Sequence, residues 1–184
     1  MLSCRSQNEE FAAQKIIAAL DRGETVAYAS DAGTPALSDP GAALARLAAA
    51  SGHDVIPVPG PSAFAALVSV SGSADKTVIF EGFLSPKPGR RRSRLRELLA
   101  MKAAVVLYES PFRILKLLED IAEIDNTRYI SIGREMTKVH EEYIRGTAAE
   151  VLILLSDRKE QIGEFSVYIA GNYSINKTEE DADN

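Results

Sequence analysis

Three junctions constrain this chain more than any other feature. At Asp39-Pro40, Gly60-Pro61 and Ser110-Pro111 a short apolar run gives way to a loop of glycine, proline and serine, and a helical pattern opens at the proline. Strand-length apolar runs alternating with amphipathic segments call for an α/β arrangement. In such sheets ligands gather beyond the carboxyl ends of strands, where helix N-termini present N–H groups that lack an intrahelical partner. Glycine lets the backbone approach a ligand closely, and proline fixes the path of a loop without wasting a donor. The stretch SDAGTPALSDPG, Ser30–Gly41, therefore reads as a rigid ligand-facing loop with Gly33 and Thr34 as backbone donors. Asp31 is expected to order that loop, since Asp side chains bond nearby backbone N–H groups. The competing reading is an ordinary βα turn, which uses the same residues.

The pattern along the chain gives a sequence of elements. Asn8 can cap a helix that Gly23 ends, and Thr25–Ala29 reads as a strand. Asp39 is the expected N-cap of a helix reaching Gly52, with Pro40 in its first position; VIPV (55–58) is a second strand, and Pro61 opens the helix FAALVSV. Polar SGSADK (71–76) reads as a linker, which divides the chain into domains 1–76 and 77–172. The second part predicts strands at 78–84, 103–109, 128–133 and 164–171. Its helices fall at 90–100, after Ser110-Pro111, and after a Thr147/Glu150 capping box. Residues 173–184 read as a disordered acidic tail.

Composition excludes several classes. The 184 residues are 46% hydrophobic and 26% charged, as in a folded globular protein. A single cysteine, Cys4, leaves no internal disulfide, and with only His53 and His140 no metal-ligand cluster is expected. No apolar run reaches the ~18 residues of a membrane span, and MLSCRSQNEE is no signal peptide, so a cytoplasmic protein without a membrane partner is expected. There is no G-x-G-x-x-G, no P-loop and no Ser–His–acid constellation. The net charge of −5 divides as −3 over residues 1–76, +1 over 77–172 and −3 over 173–184. Within that near-neutral middle, Lys87, Arg90, Arg91, Arg92, Arg94 and Arg96 make six of ten consecutive positions basic. On a helix over 90–100, Leu95, Leu98 and Leu99 face inward and Arg90, Arg91, Arg94 and Arg92 outward, where they suit phosphates. A merely solvated helix is the alternative.

Several stretches together resemble one family. SDAGTPALSDPG, PGPSAFAAL, FEGFLSPK with its arginines, YESPFR and REMTKVHEEYIRGT resemble, in this order, the tetrapyrrole methylase-like (class III) S-adenosylmethionine methyltransferases. The likeness runs from residue 8 to about 171 and is greatest to members acting on small-subunit ribosomal RNA. It implies two small α/β domains with mixed sheets and a cofactor cleft between them. It implies S-adenosylmethionine as cofactor and the 2′-hydroxyl of a cytidine in 16S rRNA as acceptor, with a homodimer as the assembly. It places Ser30, Asp31, Ala32, Gly33, Thr34 and Pro35 against the methionine part of the cofactor. Gly60, Pro61, Ser62 and Ala63, with Tyr108, Glu109 and Ser110, approach the adenosine. Arg113 in YESPFR joins Lys87 and the arginines as an RNA contact. Family members carry a first strand and a P-I-G-N-L loop ahead of the segment matching Gln7–Glu9. Their absence here makes an N-terminally truncated form the expectation. Phe112 stands where the family has histidine and Ser85 where it has proline.

Methyl transfer from a sulfonium asks the protein for positioning and for help with the acceptor's proton. A ribose hydroxyl is a poor nucleophile near neutral pH, so a base or a cation favouring the alkoxide would help. Glu135 and Lys138, with Glu141 and Glu142 after them, are the densest candidates; a salt-bridged surface is the competing reading. Methylation of a tetrapyrrole or other small molecule, and an inactive RNA-binding remnant, stand as alternative functions.

Overall fold

The computed structural model describes residues 9–171. The expected Asn8 cap, Cys4 and the acidic tail at 173–184 lie outside them. The chain divides into two compact units, one up to Ser62 and one from Ala63.

The first unit contains α1 (Glu9–Asp21) and α2 (Ala42–Ala50), packed on each other with Ala12, Ala13, Leu44 and Ala48 buried. Asp39 does not cap α2. The residue at its N-cap is Gly41, and Glu9 of α1 supplies the cap, its Oε1 accepting from the N–H groups of Gly41 at 2.8 Å and Ala43 at 2.9 Å. A carboxylate at a helix N-terminus is favoured by both hydrogen bonding and the helix dipole. Thr25–Ala29 and residues 55–58 were expected as strands, yet neither joins a sheet among the described residues. Apolar composition favours an extended path, but a strand also needs a hydrogen-bonded neighbour. Val55, Ile56 and Val58 are exposed.

The second unit begins with α3 (Ala63–Val70), two residues after Pro61. There follow β1 (Val78–Gly82), α4 (Pro88–Ala100), β2 (Ala104–Glu109), α5 (Ile114–Ile124), β3 (Tyr129–Arg134), β4 (Glu142–Thr147), α6 (Ala148–Ser156) and β5 (Phe165–Ile169). They form a mixed sheet of order β1-β2-β5-β3-β4, in which β1 and β2 are parallel and the other neighbours antiparallel. Period-two alternation sends Val105, Leu107, Ile130, Ile132, Val167 and Ile169 to one face, with Leu95, Leu98, Leu117, Leu118, Ile121 and Val151 of α4–α6. Ala104, Val106 and Tyr168 point to the other face, which α3 covers with Leu67. Each fully buried leucine contributes about 1.5–3 kcal/mol relative to exposure. The Thr147/Glu150 capping box is present in both directions. β4 went unrecognised in the sequence because only Ile144 is buried in it; Glu142 and Arg145 mark it as a charged edge strand.

SGSADK does not behave as a linker. Ser71 is buried, its carbonyl accepts the Tyr129 hydroxyl at 3.0 Å, and Asp75 Oδ2 accepts from the Tyr168 hydroxyl at 2.8 Å and Gly171 N–H at 3.2 Å. The Tyr168 pKa is pushed up to about 12, first by burial.

Candidate functional site

The loop at 30–41 owes its shape to backbone geometry that few residues adopt. Gly33 and Gly41 have φ of 82° and 129°, and Ala36 and Ser38 of 67° and 59°. A Cβ at Gly41 would lie 2.8 Å from Tyr28 Cε1 and 3.2 Å from Pro35 Cβ, so only glycine fits. Ser30 orders the turn by donating its hydroxyl to the Gly33 carbonyl at 3.0 Å; Asp31, expected in that role, is exposed and makes no hydrogen bond among the described residues. Ala36 N–H donates to Pro40 O at 3.1 Å and closes the far end. Thr34 Oγ1 donates to Pro61 O at 2.9 Å, which brings the Ser30–Pro35 segment to Gly60 and Pro61. Ala32, Gly33 and Thr34 are exposed, and their N–H groups have no partner among the described residues.

In the second unit, the start of α3 is held by Tyr108, whose hydroxyl accepts the Phe64 N–H at 3.0 Å. Tyr108 packs edge-on against Phe80 with ring centroids 4.9 Å apart. Glu109 is 3% exposed and does local work: its Oε1 accepts from Ser110 N–H at 2.7 Å and from Arg113 Nε at 2.7 Å. Helix N-termini are thus less open than the sequence implied, since Glu9 and Tyr108 occupy amides at α2 and α3.

The basic cluster is not a uniform outward surface. Arg91 is 4% exposed and faces the core, a correction to the outward placement expected for it. It lies one turn before Leu95 on the same stripe as Leu98, and Asp120 of α5 receives it with Nε to Oδ2 at 2.6 Å. Arg92 bonds the other Asp120 oxygen at 2.7 Å, and Arg94 grips Glu81 with two nitrogens at 2.7 and 2.8 Å and Glu97 with the third at 2.9 Å. Hydrogen bonds donated to these carboxylates hold the pKa values of Arg92 and Arg94 above the ordinary one. Arg113 is committed to Glu109 and to the Leu84 carbonyl. Lys87 and Arg90 are exposed and make no ion pair among the described residues.

Glu135 and Lys138 are together, in a bracket with Glu164. Glu135 N–H donates to Glu164 O at 3.0 Å, Glu164 N–H donates to Glu135 Oε1 at 2.8 Å, and Lys138 Nζ reaches Glu135 Oε1 at 2.9 Å and Glu164 Oε2 at 3.1 Å. Glu135 and Thr137 have φ of 49° and 68°, and the Glu135 side chain fills the space a Cβ on Gly163 would need. The Glu164 amide, then Lys138, holds the Glu135 carboxyl below its usual range, while Glu135 and then Glu164 raise Lys138. Glu141 accepts the Thr137 N–H, and Glu142, in β4, is paired with Arg158 and Arg134. Among the described residues no group of His, Cys, Asp or Glu could hold a metal ion, and no helix is long and apolar enough to cross a membrane.

A mixed sheet covered on both faces, with glycine–proline loops leading into helices, is an α/β architecture that solved methyltransferases share. The methyltransferase CobJ aligns with a TM-score of 0.63 at 19% identity over 88% of this chain and 70% of its own. Uroporphyrin-III C-methyltransferase from Thermus thermophilus, solved with S-adenyl homocysteine, aligns with a TM-score of 0.57 at 13% identity over 90% of this chain and 74% of its own. Residues 2–152 match the Tetrapyrrole (Corrin/Porphyrin) Methylases, and the chain belongs to that family. Within it the sequence is similar to ribosomal RNA small subunit methyltransferase I of Borrelia garinii subsp. bavariensis, 42% identical over 95% of this chain and 78% of the relative. The protein of that name from Xylella fastidiosa is 42% identical over 93% of this chain, which spans 63% of the relative's length.

Proposed function

We propose that this chain uses S-adenosylmethionine to methylate the 2′-hydroxyl of a cytidine in 16S rRNA. The observation that carries the cofactor assignment is the Thr34–Pro61 hydrogen bond. It holds an exposed turn whose three consecutive N–H groups, at Ala32, Gly33 and Thr34, are unpartnered among the described residues. Such a turn suits a carboxylate. Within the first unit, Ser30–Pro35 with Gly60–Ser62 are the proposed cofactor contacts; within the second, Ala63 and Tyr108–Ser110 are proposed as contacts in their own right, Tyr108 offering an aromatic ring of the kind adenine takes. The relatives named for small-subunit rRNA support the RNA substrate.

When bound, S-adenosylmethionine would supply an electrophilic methyl group for the acceptor oxygen, leaving as the neutral thioether, and the proton lost by that oxygen would pass to water. Lys138, kept protonated by two carboxylates, is the group we assign to favouring charge on that oxygen. Glu135, whose lowered pKa makes it a weak base, orients Lys138 through the 2.9 Å contact. A homodimer is part of the same proposal, tested by sedimentation velocity. The functional test is transfer of labelled methyl from S-adenosylmethionine to small ribosomal subunits. A 2′-O-methyl prevents attack on the neighbouring phosphate, so the labelled site should resist alkaline hydrolysis. Label on a base, or none in RNA, would refute the assignment.

A further inference from the structure

Two phenylalanines stand in solvent beyond the carboxyl ends of β1 and β2. Phe112 is 89% exposed and Phe83 is 55% exposed. Because β1 and β2 are parallel neighbours, the segments that follow them leave the sheet at the same end. Arg113 fastens the two segments, donating to the Leu84 carbonyl at 3.3 Å. Phe83 leans edge-on against Tyr108 at 5.8 Å, Tyr108 against Phe80 at 4.9 Å, and Phe80 against Phe64 at 5.3 Å, so a chain of rings stiffens this end of the sheet.

The charge around the rings is not balanced. Glu81 is matched by Arg94 and Glu109 by Arg113, while Arg91 and Arg92 are matched by Asp120. Lys87 and Arg90 are left exposed and without an ion pair among the described residues. Exposed rings and unmatched cations four and seven residues on from Phe83 answer the two parts of an unpaired nucleotide, its flat base and its phosphate.

We propose that Phe112 and Phe83 form a stacking platform for unpaired bases of the RNA substrate, with Lys87 and Arg90 on adjoining phosphates. The proposal rests on the RNA reading above and adds to it the strandedness of the substrate. A duplex keeps its base faces covered, so a ring platform selects looped or single-stranded nucleotides.

The test uses the full chain and a fluorescein-labelled single-stranded RNA of about twelve nucleotides, within the range such surfaces take, read by anisotropy at several salt concentrations. The same sequence as a duplex serves as comparison. Single strands should bind more tightly than the duplex. Phe112→Ala should weaken single-strand binding roughly tenfold with an unchanged salt slope, since it removes stacking and no phosphate contact. Phe112→Trp should restore binding and Phe112→Leu should not. Phe83→Ala should weaken binding independently, and thermal melting of each variant reports on its fold. Wild-type binding with salt dependence, but unaffected by Phe112→Ala, would overturn the platform and leave the RNA reading standing. Leucine serving as well as phenylalanine, or duplex bound as tightly as single strand, would also overturn it. A wild-type chain that binds no RNA would refute both. Loss of self-association in Phe112→Ala at unchanged RNA affinity would assign the rings to a contact with a second copy instead.

Discussion

Arg91 donates its Nε–H to Asp120 Oδ2 at 2.6 Å, with the two side chains only 5% and 2% exposed. The second Asp120 oxygen is taken by Arg92, so one buried carboxylate ties two successive arginines of α4 to α5. What looks in the sequence like one basic surface is thus partly a structural ion-pair network.

Removing the carboxylate should therefore be costly. Asp120→Ala leaves the Arg91 charge buried without its partner, and the expected loss is about 3–5 kcal/mol. Urea denaturation measures it. The double variant Arg91→Met/Asp120→Leu should recover most of that loss, because two apolar groups of similar size leave no charge buried. A double variant as unstable as the single one would show that the pair contributes more than mutual neutralisation.

The same division predicts a split in RNA binding. Lys87→Ala and Arg90→Ala should each lower the salt slope by about 0.7, the share of one phosphate contact on a single strand. Arg92→Ala and Arg94→Ala should change it much less, since those guanidinium groups are already engaged by Asp120, Glu81 and Glu97. Equal slopes for all four variants would contradict the division.

Cofactor binding should be sensitive to the residues that shape the turn at 30–41. Gly41→Ala is strained by its φ of 129° and by the Tyr28 ring. Thr34→Val removes the bond to Pro61 while keeping shape, and a net hydrogen bond of about 1 kcal/mol corresponds to a several-fold loss in affinity. Calorimetric titration with S-adenosylmethionine reads both, and far-ultraviolet circular dichroism should show unchanged helix content for Thr34→Val.

At low pH the Glu135–Lys138–Glu164 bracket should open. The Glu135 pKa is lowered in the fold, so its contribution to stability is present above the ordinary value of 4.5 and is lost as pH falls through the lower folded value. Glu142, lowered chiefly by Arg158, acts in the same direction. Lys138 is raised, so its contribution holds below 10.5 and disappears only at higher pH. Glu135→Gln should flatten the acid limb of a stability–pH curve; a limb identical to the wild type would exclude Glu135 as a contributor.

Much of the second unit was legible because its signals are local. The Thr147–Glu150 capping box, the alternation in AVVLY and the leucines of α4 each announce themselves within a few residues. Arg91 was misplaced although its spacing from Leu95 carried the answer, because only the distant Asp120 makes burial of an arginine tolerable. The ordering of Gly41 by Glu9, thirty-two residues earlier, and the anchoring of Asp75 to Gly171, ninety-six later, are equally invisible locally. The segments at 25–29 and 55–58 read as strands for their composition, but a ladder needs partners that composition does not name.

The sheet order has a consequence for synthesis. β5 is central, buried at every position, and yet it is the last strand of the sheet to be made, entering between β2 and β3. While residues 165–169 are still inside the ribosome, β2 and β3 each expose an edge that must later face β5 on a nascent chain. Sheet closure is thus tied to the arrival of one late segment, and until then the apolar edges of β2 and β3 are the part of this chain most open to a chaperone or to another copy of itself.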